Sequence, residues 1–281
     1  MCRSDNFRPL YARLHELRAL VPSRVPLLAA TATATKFIRN DAIQKLDMVD
    51  CEVVCVSPNR GNLYYEVRPR TTIEEDLEHL VAAVKQHRKK ADRVIVYCRS
   101  LNVCADLYAH FHHTLGEACY YPQGSEKKSD NRLIGMYHAN TPPHNKEVIL
   151  DSMRKEDGIV RVVFATMALG MGVNFVGLNT IYHYGAPRSI EDFCQESGRA
   201  GRSGDQAMSV IYWKPSDAPL KGNLSNPRDA EIAAVRRYLE NDTVYRRFQL
   251  LQYFDDELAQ SLPPRNHLLC CDVCASGFTK A

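Results

Sequence analysis

Residues 160–175 read VRVVFATMALGMGVNF. The run Val160 to Ala165 is almost wholly apolar and does not alternate, which predicts a strand covered on both faces, as in a parallel sheet flanked by helices. At its carboxyl end stand Thr166 and then Gly170 and Gly172. Ligands of open α/β sheets gather at such strand ends, and a Thr followed by a glycine-rich turn offers a hydroxyl and backbone amides to phosphate oxygens. A turn of this kind is weak evidence alone, so its surroundings decide.

Working outward from it, short β-branched runs alternate with amphipathic stretches: RVIVYC (93–98), LNVCADLYAHFHHTL (101–115), IGMYHA (134–139), NKEVILDSMRK (145–155), LNTIYHYG (178–185), a helix from about Ile190, and QAMSVIYW (206–213). This is the grammar of repeated βα units. Upstream, PLLAATAT (26–33) and EVVCV (52–56) also read as strands, with a helix after Thr35 between them. They are too few for a lobe of their own and read as the tail of another α/β unit. The Pro, Asn and Gly of SPNRGN (57–62) mark the connection, followed by an alternating strand. Downstream of Trp213 a loop leads to helical patterns over 229–241 and 244–258.

The composition is that of a globular protein: 45 % hydrophobic and 25 % charged residues in 281 positions. No apolar run reaches the ~20 residues of a membrane-spanning helix. A net charge of +3 neither identifies nor opposes a nucleic-acid binder. The opening MCRSDNFRPLY lacks the apolar segment of a signal peptide, so the ten cysteines are expected in a reducing compartment, without a disulfide framework.

The segment SIEDFCQESGRAGR (189–202) begins with Ser189 in an N-cap position and predicts a helix. Continued at helical spacing, Gln195, Arg199 and Arg202 fall at i, i+4 and i+7 on one face. Gly198 and Gly201 each cost about 1 kcal/mol relative to Ala in a helix interior, which points to something approaching that backbone closely. The competing reading is a solvated face whose arginines pair with Glu191 or Glu196. Against it stand three strand ends rich in hydroxyls or polar groups: AATATAT (29–35), VYCRS (96–100) and the turn after Ala165.

Taken together, AATATAT, VIVYCRS, YHANTPP, ATMALGMGVN and QESGRAGRSG resemble motifs three, four, the small motif after it, five and six of RecQ-like DNA helicases, in helicase superfamily two. The resemblance runs over nearly the whole chain. QESGRAGR separates it from the DEAD-box RNA helicases, whose corresponding motif begins with His-Arg. The fold it implies is a RecA-like parallel sheet flanked by helices, preceded by the tail of a first RecA-like lobe (1–58), itself spanning 59–215, and followed by a small helical zinc-binding-type module (216–281). Carried over by position, Arg199 and Arg202 face the ATP phosphates, with Arg202 as the arginine finger, and Gln195 assists coupling to the nucleotide. Gly170, Gly172, Asn174, Thr31 and Thr33 correspond to nucleotide-coupling positions. Arg99, Ser100, Asn102 and Thr166 correspond to the path of single-stranded DNA, which is held through its phosphates without sequence preference. Arg99 reads equally well as a solvated helix-start residue.

The resemblance implies ATP and Mg²⁺ as cofactors, 3′ to 5′ DNA unwinding and a nuclear location. It also exposes what the sequence does not contain. No lysine follows a glycine, so there is no phosphate cradle of the G-x-x-x-x-G-K-[ST] type, and no Asp-Glu-x-His motif for magnesium occurs. The chain alone is therefore expected to be inactive. It reads either as a portion of a longer enzyme or as a standalone nucleic-acid-binding or helicase-partner protein without a motor.

In the resembling module one Cys lies on a helix and three follow a loop. Here Tyr245 stands at the helix position, while Cys270, Cys271 and Cys274 match the later group. A structural zinc site takes four N or S ligands, with His267 as the candidate fourth. The alternative is a decayed site whose thiols remain without metal.

Overall fold

A computed structural model describes residues 13–14, 16, 20–22, 25–31, 34–169, 174–220, 226–260 and 269–278. Its centre is a six-stranded, wholly parallel sheet in the order β1-β6-β5-β2-β4-β3. The strands are β1 (Leu63–Pro69), β2 (Arg93–Cys98), β3 (Ile134–Tyr137), β4 (Val162–Ala165), β5 (Leu178–Tyr184) and β6 (Ala207–Trp213). All of β2 and β4 is buried, because helices cover both faces of the sheet. Along β2 the period of two sends Ile95 and Tyr97 into one apolar cluster and Val94, Val96 and Cys98 into the other.

The helices start where the sequence supplies caps. The hydroxyl of Thr35 caps α1 (Lys36–Lys45), Thr72 caps α2 (Ile73–His87), and Ser100 caps α3 (Leu101–Leu115). α4 (Pro143–Arg154) begins instead with proline at its first position, where no backbone N–H is needed. Ser189 caps α5 (Ile190–Ser197) by accepting from the Asp192 N–H at 3.1 Å. Four further helices are described after the sheet: α6 (Pro227–Glu240), α7 (Arg246–Phe254), α8 (Asp256–Gln260) and α9 (Asp272–Phe278). Among the described residues no helix is long and apolar enough to cross a membrane.

Two expectations change. The pattern over 244–258 is not one helix: Asp255 is extended (φ −169°), and its carboxylate accepts from the Glu257 N–H at 3.2 Å, so it closes α7 and opens α8. The described parts of PLLAATAT and the whole of EVVCV are not strands. Leu28, Val54 and Val56 are 89 %, 82 % and 84 % exposed. A strand needs a neighbouring strand to take its N–H and C=O groups, and among the described residues no strand pairs with these segments.

The outer edge of β1 is occupied by the C-terminal segment. Tyr65 N–H donates to Cys270 O at 3.3 Å, and Val67 N–H donates to Asp272 Oδ2 at 3.0 Å. The same Asp272 receives Arg246 through Nε and Nη2. An edge that would otherwise present unpaired amides is thus covered.

Candidate functional site

α5 begins beyond the carboxyl end of β5 and runs back along the sheet, so that the turn after it meets the amino end of the same strand, where Gly201 N–H donates to Leu178 O at 2.9 Å. Phe193, fully buried, wedges the helix against Tyr65, His183 and Tyr238 with ring centroids at 6.0, 5.1 and 5.4 Å. The helix ends at Ser197, earlier than its period suggests. Gly198 is the C-cap, Arg199 and Ala200 form turns, and Gly201 has φ +59°. The left-handed conformation of Gly201 stops any continuation. Gln195, Arg199 and Arg202 therefore do not share a helical face: Gln195 is exposed on the helix, Arg199 is half-buried in the turn, and Arg202 is exposed beyond it.

The close approach expected at the glycines is real, but it comes from the chain itself. A Cβ on Gly201 would lie 2.6 Å from Asn62 Nδ2, 2.7 Å from Ala207 Cβ and 2.8 Å from Asp205 O.

The arginines are not neutralised in the way the solvated-face reading requires. Glu196 is taken by His183, with Oε2 to Nε2 at 3.0 Å, and Glu191 Oε1 accepts from the Tyr253 hydroxyl at 2.9 Å. Among the described residues no ion pair joins Arg199 to a carboxylate, and its Nε and Nη1 are buried without a hydrogen-bond partner. Beside it lies the buried hydroxyl of Tyr97, whose pKa is raised by burial and pulled back by the Arg199 charge. Arg202 donates from Nη1 to Asn174 Oδ1 at 3.3 Å. Burial, and then the charges of Arg199 and Arg60, lower the pKa of Arg202. Three guanidiniums close to one another make a place that favours an anion.

The candidates for the nucleic-acid path sit on the adjacent strands β2 and β4. Thr166 follows β4, is buried, and donates its N–H to Tyr137 O at 3.1 Å. Arg99 follows β2 and is half-buried; Ser100 is exposed but spends its Oγ as acceptor for the Val103 N–H at 3.3 Å. Asn102 is exposed on the first turn of α3. Sequence reasoning passed over Arg188, which lies at the end of β5 and reaches Arg99 O from Nη2 at 3.5 Å. A recess here is lined by Arg99, Met167, His183, Arg188, Asp192 and Glu196, among others. The position of Arg188 between a strand end and the Ser189 cap was its available signal. Thr31 is exposed and outside any regular element. Thr33, Gly170, Gly172 and His267 lie outside the described residues.

At the other end of the chain the sulfurs of Cys270, Cys271 and Cys274 lie within 4.8 Å of one another, and all three residues are buried. Tyr245 is the N-cap of α7, and the N–H of the next residue, Arg246, points at Cys271 Sγ at 3.5 Å. The helix position at which a fourth cysteine was expected is therefore adjacent to the thiol group. Hydrogen bonds from Cys270 and from backbone amides pull the Cys271 thiol pKa down, against its burial.

Residues 74–204 match the helicase conserved C-terminal domain. The chain is 29 % identical over 278 residues to the "ATP-dependent DNA helicase hus2/rqh1" of Schizosaccharomyces pombe, covering 95 % of this chain and 19 % of that protein. It is 30 % identical over 281 residues to the "RecQ-like DNA helicase BLM" of Xenopus laevis, covering 96 % of this chain and 19 % of that protein. The parallel lobe is a RecQ-like helicase C-terminal lobe. In fold it matches the Mycobacterium smegmatis helicase Lhr, solved bound to ssDNA and AMP-PNP, with a TM-score of 0.55 at 18 % identity over 82 % of this chain and 28 % of that one. The RecA-like architecture expected of the RecQ-like lobe is thus present, while the chain spans about a fifth of the length of the two curated relatives named.

Proposed function

We propose that this RecQ-like lobe is the second motor lobe of an ATP-dependent 3′ to 5′ DNA helicase and supplies arginines to a nucleotide held mainly by another lobe. The observation that carries the reading is Arg199: two of its guanidinium nitrogens are buried without a hydrogen-bond partner, beside Arg202, while Glu196 and Glu191 are engaged by His183 and Tyr253. A buried guanidinium with unspent donors is costly unless a ligand completes it. Phosphoryl transfer spreads negative charge over the γ-phosphate oxygens, and arginines reaching in from outside the cradle stabilise that charge. Arg202 is the finger in this reading, with Asn174 orienting it and Gln195 coupling it to the nucleotide. Mg²⁺ belongs to the cradle, for which this sequence has neither the Gly-Lys nor the acidic motif.

Single-stranded DNA crosses the ends of β2 and β4, where Arg99, Ser100, Asn102 and Thr166 meet its phosphates. Contacts of this kind give weak, salt-sensitive binding that ignores sequence. The division into a first-lobe remnant (1–58), the lobe (59–215) and a helical module (216–281) follows from the same reading, as does work in the nucleus beside other repair proteins. In the helical module the three buried thiols suit a soft, thiolate-binding ion, and Cys270, Cys271 and Cys274 would hold Zn²⁺, with His267 as the candidate fourth ligand. When bound, zinc supplies cross-linking of the module to the β1 edge and no chemistry.

The test is to place the chain behind a RecQ-type first lobe that carries the cradle and acidic motifs. DNA-stimulated ATP turnover and unwinding are expected there, and neither is expected from the 281-residue chain alone. Robust turnover by the chain alone, or none in the two-lobed protein, refutes the reading.

A further inference from the structure

The turn that carries Arg199 and Arg202 leaves backbone carbonyls beyond the helical ladder where α5 stops, of which Gly201 O also accepts from the Gly204 N–H at 3.1 Å. They are collected by a residue 138 positions earlier. Arg60 donates from Nη1 to Gly198 O at 2.8 Å, and from Nη2 to Ala200 O at 3.1 Å and Gly201 O at 2.9 Å. Asn62 adds Nδ2 to Gly201 O at 2.8 Å and to Asp205 O at 2.7 Å. On the opposite side, Arg247 of α7 donates from Nη2 to Gly61 O at 3.2 Å and Leu63 O at 2.9 Å. Residues 60–63 are thus gripped between the arginine turn and the helical module.

We propose that Arg60, with Asn62, is a positioning residue that sets the Arg199–Arg202 turn before a phosphate arrives; this rests on the reading of those arginines as facing phosphate. The chemistry of the contact favours an arginine. The carbonyls are served from two separate nitrogens, Nη1 for Gly198 and Nη2 for Ala200 and Gly201, a spread that matches the planar fork of a guanidinium better than the single nitrogen of a lysine, three donors though it has. Holding the fold alone does not require a cation: Asn62 bonds the same turn with a neutral amide. A third guanidinium beside two others is electrostatically unfavourable in the absence of an anion and favourable in its presence. Donors fixed in advance at the site of developing charge need no reorganisation during the reaction. Residues 57–62 also form the connection from the N-terminal segment, so a shift of that connection is transmitted straight to the arginines.

The experiment has two arms. In the 281-residue chain, hydrogen exchange is followed at the amides of residues 198–205. Arg60→Ala and Asn62→Ala are expected to speed it there by roughly tenfold or more, as expected for local opening, and to leave β2 and β4 unchanged. In the two-lobed protein, Arg60→Ala is expected to lower kcat for ATP on the order of 10²-fold, the cost of a misplacement near 1 Å. The KM for ATP and the affinity for single-stranded DNA should stay within about twofold, and Arg60→Lys should recover part of kcat by regaining some of the carbonyl contacts. Unchanged exchange overturns the clamp. Loosened amides with an unchanged kcat overturn the positioning role and leave Arg60 as a structural residue only. A wild-type two-lobed protein without turnover refutes the phosphate reading itself and this inference with it.

Discussion

Arg39 Nη2 and Asp255 Oδ2 meet at 2.5 Å across 216 positions of sequence, joining α1 to the break between α7 and α8. Both side chains are largely buried, whereas the neighbouring Lys36–Glu257 pair at 3.5 Å is open to solvent and contributes little. The Arg39 hydrogen bond holds the Asp255 carboxyl below its usual range. A carboxyl depressed in the folded state contributes stability above its unfolded pKa, near 4, and that contribution is lost as pH falls through the folded value. Docking of α1 should therefore weaken only below about pH 4, and Arg39→Ala should remove the acid sensitivity at a cost of about 1 kcal/mol. Exchange of the Lys36–Lys45 amides between pH 6 and pH 3, corrected for intrinsic rates, reads this out. An identical acid profile in the variant would count against the pair.

Gly201 and Gly204 both have positive φ, +59° and +94°, but only Gly201 is enclosed. Gly204→Ala meets open space and should cost about 1 kcal/mol for the backbone conformation alone. Gly201→Ala must also displace Asn62, Ala207 or the Asp205 carbonyl and should cost about 3 kcal/mol or more. Urea midpoints of the two variants provide the comparison, and equal losses would refute the packing argument.

What could be read in advance depended on how local the physics is. β2 and β4 were legible because burial on both faces writes itself into consecutive apolar residues, and the cap Ser189 announced its helix. PLLAATAT obeys the same grammar as β4 and yet forms no strand over its described residues, since a local pattern specifies readiness to pair and not the presence of a neighbour. The shared face of Gln195, Arg199 and Arg202 failed after Ser197, where the helix ends at Gly198, and the positive φ of Gly201 turns the chain aside before Arg202. Arg60 carried no signal: it reads as part of a connection, and its partners lie 138 to 141 positions away. The cysteine cluster was visible as a spacing, but its seat against β1 through Cys270 O was not.

Zinc gives a prediction with an internal control. If Cys270, Cys271 and Cys274 hold the ion, purified chain should contain about one Zn²⁺, and a chelator should lower the thermal stability of the helical module, because structural zinc contributes directly to folding. Cys274→Ser should lose the metal. Tyr245→Cys places a thiol at the N-cap of α7, next to the Arg246 amide that faces Cys271, and should tighten binding. Elemental analysis showing no zinc in either the wild type or Tyr245→Cys would favour thiols without a metal role.

The two arginines should separate chemistry from DNA binding. In the two-lobed protein, Arg202→Ala removes the exposed guanidinium that Asn174 contacts, and with it the charge proposed to meet the γ-phosphate. A finger acts on transition-state charge, so hydrolysis should fall by about 10³-fold or more, while single-stranded DNA affinity stays near wild type. Arg199→Ala differs because the side chain is half-buried beside Tyr97. Its loss should lower hydrolysis and also weaken ATP binding, since the removed donors are the buried ones with no protein partner. Asn174→Ala should reproduce a small part of the Arg202 defect by freeing its side chain. ATP turnover at saturating single-stranded DNA, with fluorescence anisotropy on the same samples, separates the cases. Normal turnover by Arg202→Ala would remove the finger assignment, and a parallel collapse of DNA affinity would place that arginine on the nucleic-acid path instead.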